Sequence, residues 1–316
     1  MKAFFALFLK GLAMGAANVI PGVSGGTIAL ITGIYEKLID SIKAFDLQAI
    51  QLLLRFRLKE FADRVNLSFL AAVFAGVGVS IFTLAKLLEW LLDKHEVWTM
   101  AFFFGLILIS VYSVGRTVSQ WNVGTILALL VGTAIAVGIA LLAPASENPA
   151  FLYVFICGIV AICSMILPGL SGSFVLIIMG NYALVLGAVG DFNMAILVPL
   201  GIGCIVGLVG FSQLLSWILK RYRDITIALM TGFVLGSLSV IWPWKKQVFL
   251  TDELGNTVLR SSGQAVVSGY EWLLPDMVAP ETWVAFALIF AGIISLWAIE
   301  RLAVEKHGEP VELEKY

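Results

Sequence analysis

The segment Pro21-Gly22-Val23-Ser24-Gly25-Gly26-Thr27 determines how this chain folds, because a close copy of it begins 147 residues later. The copy reads Pro168-Gly169-Leu170-Ser171-Gly172-Ser173-Phe174. Proline has no amide hydrogen and clashes with the preceding helical turn, so an incoming helix ends just before it. The serine that follows suits the N-cap of a new helix. Each copy therefore predicts two short helices that meet at a break.

The duplication extends well beyond this motif. Upstream and downstream of it the offset stays at 147, as in Gly11 with Gly158 and Tyr35 with Tyr182. Farther along, the offset becomes 127, as in Gly76 with Gly203. The change of 20 residues means that the first half carries an insertion, which is the basic stretch 43–66. Further pairs at the offset of 127 are Trp90 with Trp217, Lys94 with Arg221, Thr99 with Thr226 and Gly105 with Gly232. One unit is therefore used twice.

The composition is that of a polytopic membrane protein. Hydrophobic residues make up 60% of the chain and charged residues 13%, whereas a soluble domain is about a quarter charged. The net charge of −1 gives no indication of nucleic-acid binding. Residues 1–20 contain Lys10 and lead directly into the first motif without a small-residue cleavage site, so we expect them to belong to the mature fold.

Metal and cofactor chemistry is not expected. The three cysteines, Cys157, Cys163 and Cys204, lie in apolar segments without the C-x-x-C spacing of a metal or redox site, which predicts packing roles. The two histidines, His95 and His307, are far apart in sequence. We therefore predict no metal ligands, no cofactor and no catalytic residues.

The apolar runs divide the chain into two membrane repeats, 1–145 and 150–300. The first comprises a re-entrant hairpin at 3–40, the basic insertion at 43–66, and spans at 67–92, 98–115 and 122–143. The second comprises a re-entrant hairpin at 150–187 and spans at 194–219, 225–242 and 280–299. We expect an extracytoplasmic loop at 243–279 and a cytoplasmic tail at 301–316. Within the hairpins, residues 24–40 and 171–187 are expected to form the second arms.

Two topologies fit these runs, and they differ in what each motif region does. If it is one kinked spanning helix, each unit has four crossings and the repeats are parallel. If it is a re-entrant hairpin, each unit has three crossings and the repeats are inverted. An arm of roughly 18 residues is about 27 Å long, which is marginal for a hydrocarbon core of about 30 Å. With the basic insertion in the cytoplasm, only the hairpin topology also places the basic stretch 220–223 there. We therefore predict an all-α membrane protein with two inverted repeats and both termini in the cytoplasm.

The breaks are the predicted substrate site. Inverted repeats with discontinuous helices typically bind substrate near the bilayer midplane. Helix N-termini with glycines bind anions such as phosphate or carboxylate. An alternative interpretation is that the glycines only allow close helix packing. The predicted contacts to an anionic headgroup are Ser24, Gly25, Gly26, Thr27, Ser171, Gly172 and Ser173. The predicted hairpin breaks are Pro21, Gly22, Pro168 and Gly169, and the predicted accessory residues are Asn18 and Arg116.

The stretch from Gly11 to Thr27, GLAMGAANVIPGVSGGT, with its second copy from Pro168 to Ser173, resembles a bacterial and archaeal membrane family. This family, formerly a domain of unknown function, is described as the polyprenyl-phosphate transporters of the PopT type, and the resemblance covers essentially the whole chain. It implies a flippase of the cytoplasmic membrane that returns undecaprenyl phosphate, the lipid carrier of cell-wall and surface-glycan precursors, from the outer to the inner leaflet. It also implies that the two motif segments contact the phosphate headgroup. The second copy departs from the first where Ser173 replaces Gly26.

Other functions remain open on the residues alone. A secondary transporter of a small anion, such as phosphate, sulfate or an organic acid, would use the same site. A membrane enzyme acting on lipid phosphates would need a nucleophile or metal with acid–base partners, and the motif hydroxyls have no His, Asp or Glu near them in sequence. A structural membrane protein would have no need of midplane breaks. The expected partners are a polyprenyl-phosphate lipid and membrane lipids, while the coupling ion, proton or sodium, and the oligomeric state are left undetermined.

Overall fold

A computed structural model of the chain describes residues 2–19, 24–142, 145–249 and 267–307. The predicted break residues Pro21 and Gly22 and the end of the predicted tail lie outside these residues. The first half contains helices α1 (Lys2–Val19), α2 (Gly25–Ile31), α3 (Tyr35–Lys43), α4 (Leu47–Leu54), α5 (Leu58–Arg64), α6 (Leu67–Gly115) and α7 (Val123–Ala140). The second contains α8 (Phe151–Ile166), α9 (Gly172–Ile178), α10 (Tyr182–Gly190), α11 (Met194–Arg221), α12 (Arg223–Ser237), strands β1 (Lys245–Phe249) and β2 (Val267–Trp272), and α13 (Pro280–His307).

The chain is a multi-pass membrane protein. Within the described residues, 4 helices are long and apolar enough to cross a membrane, and the number rises to 6 if each of two bent helix pairs is one span. The four helices are Lys94–Gly115, Val123–Ala140, Met194–Arg221 and Pro280–Ala298. The bent pairs are Leu58–Arg64 with Leu67–Ser80, at 69°, and Gly172–Ile178 with Tyr182–Val189, at 117°.

Glycines allow the first helix of each half to cross the following long helix closely. A side chain at Gly11 of α1 would collide with the Val73 carbonyl of α6, and one at Gly158 of α8 would collide with the Leu200 carbonyl of α11. Gly158 lies 147 residues after Gly11, and Leu200 lies 127 after Val73. Small residues at such crossings let helix backbones approach within a membrane. The same crossing therefore occurs at corresponding positions in both halves.

The last helix of each half packs against a helix of the other half. Helix α7 of the first half packs against α12, and α13 of the second half packs against α6. Gly132 of α7 lies against the Leu229 carbonyl, and Gly292 of α13 lies against the Phe102 carbonyl. Gly292 follows Gly132 by 160 residues, so α7 and α13 occupy corresponding places at a third offset. Each half is thus completed by contacts with the other.

The predicted spans 67–92 and 98–115 are two helical segments that meet directly at a kink within α6. Its one non-helical residue, His95, has φ −140° and ψ 48°. The corresponding residue of the second half, Tyr222, has φ −134° and ψ 50° and separates α11 from α12. In both places a threonine hydroxyl, Thr99 or Thr226, donates to the carbonyl of the non-helical residue, at 2.9 and 2.8 Å. The Tyr222 carbonyl also accepts from the Thr226 amide at 2.9 Å, so the hydroxyl adds a second bond at the start of the following helix.

The predicted second arms, 24–40 and 171–187, are not single helices. Each is divided after 7 helical residues, into α2 and α3 or α9 and α10. The divisions follow Gly33 and Gly180, whose φ angles of +70° and +76° end a helix in the left-handed conformation. The next amide bonds back by five residues in both copies, Ile34 to Ala29 at 3.0 Å and Asn181 to Leu176 at 3.0 Å. The sequence analysis treated each arm as one segment and did not predict that these glycines end a helix.

The basic insertion forms the short helices α4 and α5, which an ion pair connects. Asp46 caps α4 by accepting from the Ala49 amide at 2.9 Å and pairs with Arg64 at the end of α5. The guanidinium and the amide hold the pKa of Asp46 below its usual value. Large apolar side chains of this segment, including Leu47, Leu54 and Phe56, are exposed.

The described residues are mostly helical, as predicted for an all-α membrane protein, and the described part of the predicted extracytoplasmic loop adds a short antiparallel ribbon. Strands β1 and β2 pair with Lys245 opposite Trp272 and Lys246 opposite Glu271. Opposite charges that face each other across a strand pair favour pairing. The indole of Trp272 donates to the Ser239 carbonyl at 2.9 Å, which fixes the ribbon against the end of α12.

Candidate substrate cavity between the two motifs

The two motif regions contact each other at the centre of the molecule. Ile28, Tyr35, Ile166 and Met230 belong to the same buried core cluster. Thr27 of the first motif accepts a hydrogen bond from the Gly169 amide at 2.8 Å. The Tyr35 hydroxyl donates to the Ile166 carbonyl at 2.9 Å. Side chains of the first half thus satisfy backbone groups that the break at Pro168 leaves without helical partners.

The backbone of the first motif is satisfied locally. Asn18 accepts from the Gly25 amide at 2.7 Å, and the Ser24 hydroxyl accepts from the Gly26 amide at 3.1 Å. The Thr27 amide donates to the Ser24 carbonyl at 2.9 Å. The predicted N-cap role of Ser24 is therefore confirmed. These amides are occupied and offer nothing further to a ligand.

The second motif differs, because its donors are not used in this way. Ser171 occupies the N-cap position of α9 without a side-chain capping bond, so the predicted capping by its hydroxyl was wrong. Its hydroxyl instead shares a hydrogen bond of 2.9 Å with the Ser173 hydroxyl. The Gly172 and Ser173 amides have no acceptor within the described part of the chain. Two hydroxyls and two amides are therefore grouped here.

A cavity of about 270 Å³ lies over this second motif. Its polar lining consists of Asn18, Ser24, Ser171, Gly172 and Ser173. Its apolar lining consists of Ala161, Ile162, Met165, Leu170, Leu176, Leu200 and Cys204. No charged side chain is present in this lining. The cavity offers neutral hydrogen-bond donors on one side and hydrocarbon on the other, without the acid–base pair that a hydrolytic reaction needs.

The structure brings five of the predicted contact and accessory residues together in this lining: Asn18, Ser24, Ser171, Gly172 and Ser173. Gly25, Gly26 and Thr27 lie elsewhere, because they are buried against Asn18, the Ile166 carbonyl and the Gly169 amide. Pro168 and Gly169 are buried beneath the cavity, and Gly169 has φ +83°. Arg116 follows the end of α6, where its guanidinium lies 5.7 Å from the Tyr112 ring, and does not line the cavity.

Comparison with known proteins identifies the family. Residues 14–258 match the family model for VCA0040-like proteins, described as undecaprenyl phosphate translocase-like. The chain belongs to this family. The predicted resemblance is thereby confirmed.

Two curated relatives carry the same name. The chain is 42% identical over 306 residues to a "Polyprenyl-phosphate transporter" of Vibrio cholerae serotype O1, which covers 95% of this chain and 97% of the relative. It is 32% identical over 260 residues to a "Polyprenyl-phosphate transporter" of Staphylococcus aureus, which covers 74% of this chain and 85% of that relative. No solved structure matches this translocase-like chain.

Glycines in the motif of this translocase-like protein also serve close packing. A Cβ atom at Gly25 would lie 3.1 Å from the Met14 carbonyl, and one at Gly172 would lie 2.7 Å from the Ala161 carbonyl. Met14 and Ala161 correspond at the offset of 147. The packing interpretation therefore holds for both glycines, and Gly172 additionally lines the cavity.

Sequence reasoning missed two kinds of residue at this site. The repetition of Tyr35 as Tyr182 was a signal that the tyrosine has a role, but it did not indicate the Ile166 carbonyl as its partner. The apolar wall was not predicted, and Cys204 was assigned to packing alone. Leu200 and Cys204 come from α11, some thirty residues past the motif, and no local pattern distinguishes them from other apolar residues of a span.

Proposed function

We propose that this protein moves undecaprenyl phosphate, or a closely related polyprenyl phosphate, between the leaflets of the bacterial or archaeal cytoplasmic membrane. Transport would return the lipid carrier to the inner leaflet for reuse in cell-wall and surface-glycan synthesis. The observation that carries the proposal is the cavity at the meeting of the two motifs, with hydrogen-bond donors beside an apolar wall. The family of this chain and the names of its relatives support the same substrate.

The cavity suits the chemistry of a lipid phosphate. Phosphate oxygens accept hydrogen bonds from hydroxyl and amide donors, and bonds to a charged group are stronger than those between neutral groups. The hydroxyls of Ser171 and Ser173 and the amides of Gly172 and Ser173 supply such donors. The adjoining side chains of Met165, Leu170 and Leu176 would contact the first carbons of the isoprenoid.

We further propose that the halves are inverted repeats with re-entrant hairpins and cytoplasmic termini. The matched crossings at Gly11 and Gly158 support the duplication. The ion pair between Glu36 of α3 and Arg223 supports the hairpin topology. In the kinked-helix alternative, the basic turn at 220–223 would lie across the membrane from the end of the first hairpin, where α3 is found.

We infer transport rather than catalysis, because no acid–base partner accompanies the hydroxyls of Ser24, Ser171 and Ser173 in the cavity lining. A small-anion carrier would use the same donors. Measuring leaflet movement of undecaprenyl phosphate in proteoliposomes, with and without excess phosphate or sulfate, separates the two functions when the flux of those ions is followed in parallel. Protein-dependent lipid movement supports the proposal, whereas ion flux without lipid movement assigns the protein to small-anion carriers.

The site is tested by the double substitution Ser171→Ala with Ser173→Ala, which removes both hydroxyls without adding bulk. Loss of hydrogen bonds to a charged group, at about 1.5–3 kcal/mol each, predicts at least a tenfold reduction in lipid movement. Ser119→Ala changes an exposed serine far from the cavity and should leave movement unchanged. Transport by the double variant at the unmodified rate would exclude these hydroxyls from the site.

A larger reduction in lipid movement is expected from Gly172→Val. Its side chain would collide with Met165 and with the Ala161 carbonyl, two residues that line the cavity. Gly201→Val is the matched control, because Gly201 lies on a helix of the same half and a Cβ atom there would have no neighbouring atom within 4 Å. Both proteins are compared for membrane insertion and lipid movement. Normal transport by Gly172→Val would place the substrate elsewhere.

A further inference from the structure

The two halves differ in how the helix that follows the motif, α2 or α9, packs against the long helix of the same half. In the first half, α2 packs directly against α6. In the second half, α9 packs against α8 and α10 but makes no extended contact with α11. The space between α9 and α11, floored by α8, belongs to the cavity. The cavity therefore lies beside the motif of the second half, where α9 and α11 are not packed together as α2 and α6 are.

The residues of α9, α11 and α8 that line the cavity away from the serines are apolar. They are Leu176 of α9, Leu200 and Cys204 of α11, and Ile162 and Met165 of α8. The Cys204 sulfur lies 3.5 Å from the Gly158 carbonyl, which places it beside the middle of α8. From Gly158 to Met165 is about 10 Å along the helix at ~1.5 Å per residue. This apolar lining thus extends from the serine donors for roughly two helical turns.

Hydrogen bonds hold the linker that precedes α8 against the end of α9. The Ala145 amide donates to the Ile178 carbonyl at 2.7 Å, and Asn148 and Asn181 exchange two hydrogen bonds of 2.9 Å. The neighbouring outer surface of α11, a candidate membrane span, is apolar and exposed at Ile202, Ile205 and Val206. At membrane depth such a surface faces acyl chains. A hydrocarbon chain that extends from the cavity between α9 and α11 would therefore reach the acyl chains of the bilayer.

The volume exceeds the needs of a phosphate group. Its five non-hydrogen atoms would fill roughly 150 Å³ even at the ~30 Å³ that a water molecule occupies in the liquid. The cavity measures about 270 Å³. Space therefore remains next to the serine donors, and hydrocarbon side chains surround it.

We propose that the groove between α9 and α11 is the binding site of the isoprenoid chain, with Leu176, Leu200 and Cys204 contacting its first units. This assignment rests on the proposed function, since it supposes that the headgroup occupies the cavity. It makes the two halves unequal: the second motif supplies three of the polar lining residues, whereas Thr27 and Tyr35 of the first half support the break at Pro168. The chain would then remain in the bilayer while the headgroup crosses.

Cys204 provides a test on the unsubstituted protein. The purified protein in nanodiscs is treated with N-ethylmaleimide, and modification of each cysteine is followed by mass spectrometry. Undecaprenyl phosphate should slow modification of Cys204 at least fivefold, while inorganic phosphate at the same concentration should not. Cys163 of α8 does not line the cavity and serves as the internal control. Failure of Cys204 to react without added lipid would contradict an open groove.

Lipid movement measured on the same preparation separates the two proposals. Lipid movement without protection of Cys204 would overturn the proposed isoprenoid site and leave the proposed transport function intact. Absence of lipid movement would overturn both proposals. A substitution test is Cys204→Trp, which should fill the groove and reduce movement at least tenfold. Ile205→Trp, on the exposed side of the same helix, should change it less than twofold. Equal movement by the two variants would exclude the groove.

Discussion

Thr27 shows how a single side chain connects the two halves. Its side chain is 1% exposed, and its hydroxyl is the acceptor for the Gly169 amide, 142 positions away. A buried amide left without an acceptor costs roughly 1–3 kcal/mol. In this structure the Thr27 hydroxyl therefore stabilises the second break.

Thr27→Val keeps the shape of the side chain and removes the acceptor. We expect it to lower the free energy of unfolding by about 1–3 kcal/mol, measured as a lower melting temperature of the purified protein. Thr27→Ser retains a hydroxyl and should be affected much less. If the valine and serine variants have the same melting temperature, the hydrogen bond to Gly169 does not contribute to stability.

At this scale the sequence predicted where the motif residues lie in the chain but not what they contact. The N-cap role of Ser24 follows from local helix chemistry, so it was predictable. The partners of Thr27 and Tyr35 depend on how two distant segments meet, which local periodicity does not encode. The difference between the two serines is of the same kind: Ser24 bonds the Gly26 amide, whereas Ser171 bonds the Ser173 hydroxyl, where the first copy has Gly26.

At the scale of helices, the crossing of α7 with α12 depends on glycine. Gly132 lies against the Leu229 carbonyl, whereas Gly138 of the same helix has no neighbouring atom within 4 Å of the position of a Cβ. Alanine is favoured over glycine within a helix by roughly 0.5–1 kcal/mol. Alanine should therefore lower the stability of the protein at position 132 and leave it unchanged or raise it at position 138.

We expect Gly132→Ala to destabilise the protein by about 1–3 kcal/mol, because the added carbon forces the two backbones apart. Gly138→Ala should be neutral or slightly stabilising. Thermal unfolding of the two variants in the same detergent measures the difference. A melting temperature for Gly132→Ala at or above that of Gly138→Ala would contradict the close crossing.

The sequence revealed two of the three offsets that relate the helices. The offsets of 147 and 127 were visible because several identical residues recur at each. The offset of 160 between α7 and α13 was not, since the aligned segments share little beyond Gly132 with Gly292 and Ile139 with Ile299. Only the matching contacts with α12 and α6 make the correspondence evident. A lipid-facing position accepts many different apolar residues. Most positions of duplicated spans therefore need not keep identical residues in the two copies.

At the scale of the whole molecule, the two ends are held together differently. At one end, α3 is joined to α11 and α12 by Glu36 with Arg223 at 3.2 Å and by Asp40 with Lys220 at 3.3 Å. Ser216 also donates to Asp40 at 2.8 Å. The residues of α10 that correspond to Glu36 and Asp40 are Ala183 and Gly187, which carry no charge. Charged contacts between the halves therefore favour closure at the α3 end.

The double substitution Glu36→Gln with Asp40→Asn should loosen this end without disturbing the other. Partly exposed ion pairs contribute roughly 0–1 kcal/mol each, and salt weakens them. We therefore expect the amides of α3 to exchange hydrogen for deuterium a few-fold faster, while exchange in α10 stays the same. High salt should produce a similar change in the unsubstituted protein.

Many transporters work by alternating access, in which each end of the molecule opens in turn. If the α3 end must separate to release the lipid, weakening its ion pairs lowers the cost of that step. The double variant should then move undecaprenyl phosphate at least as fast as the unsubstituted protein in proteoliposomes, despite its lower stability. Slower movement together with faster exchange in α3 would instead mean that these ion pairs hold the cavity in its binding-competent shape.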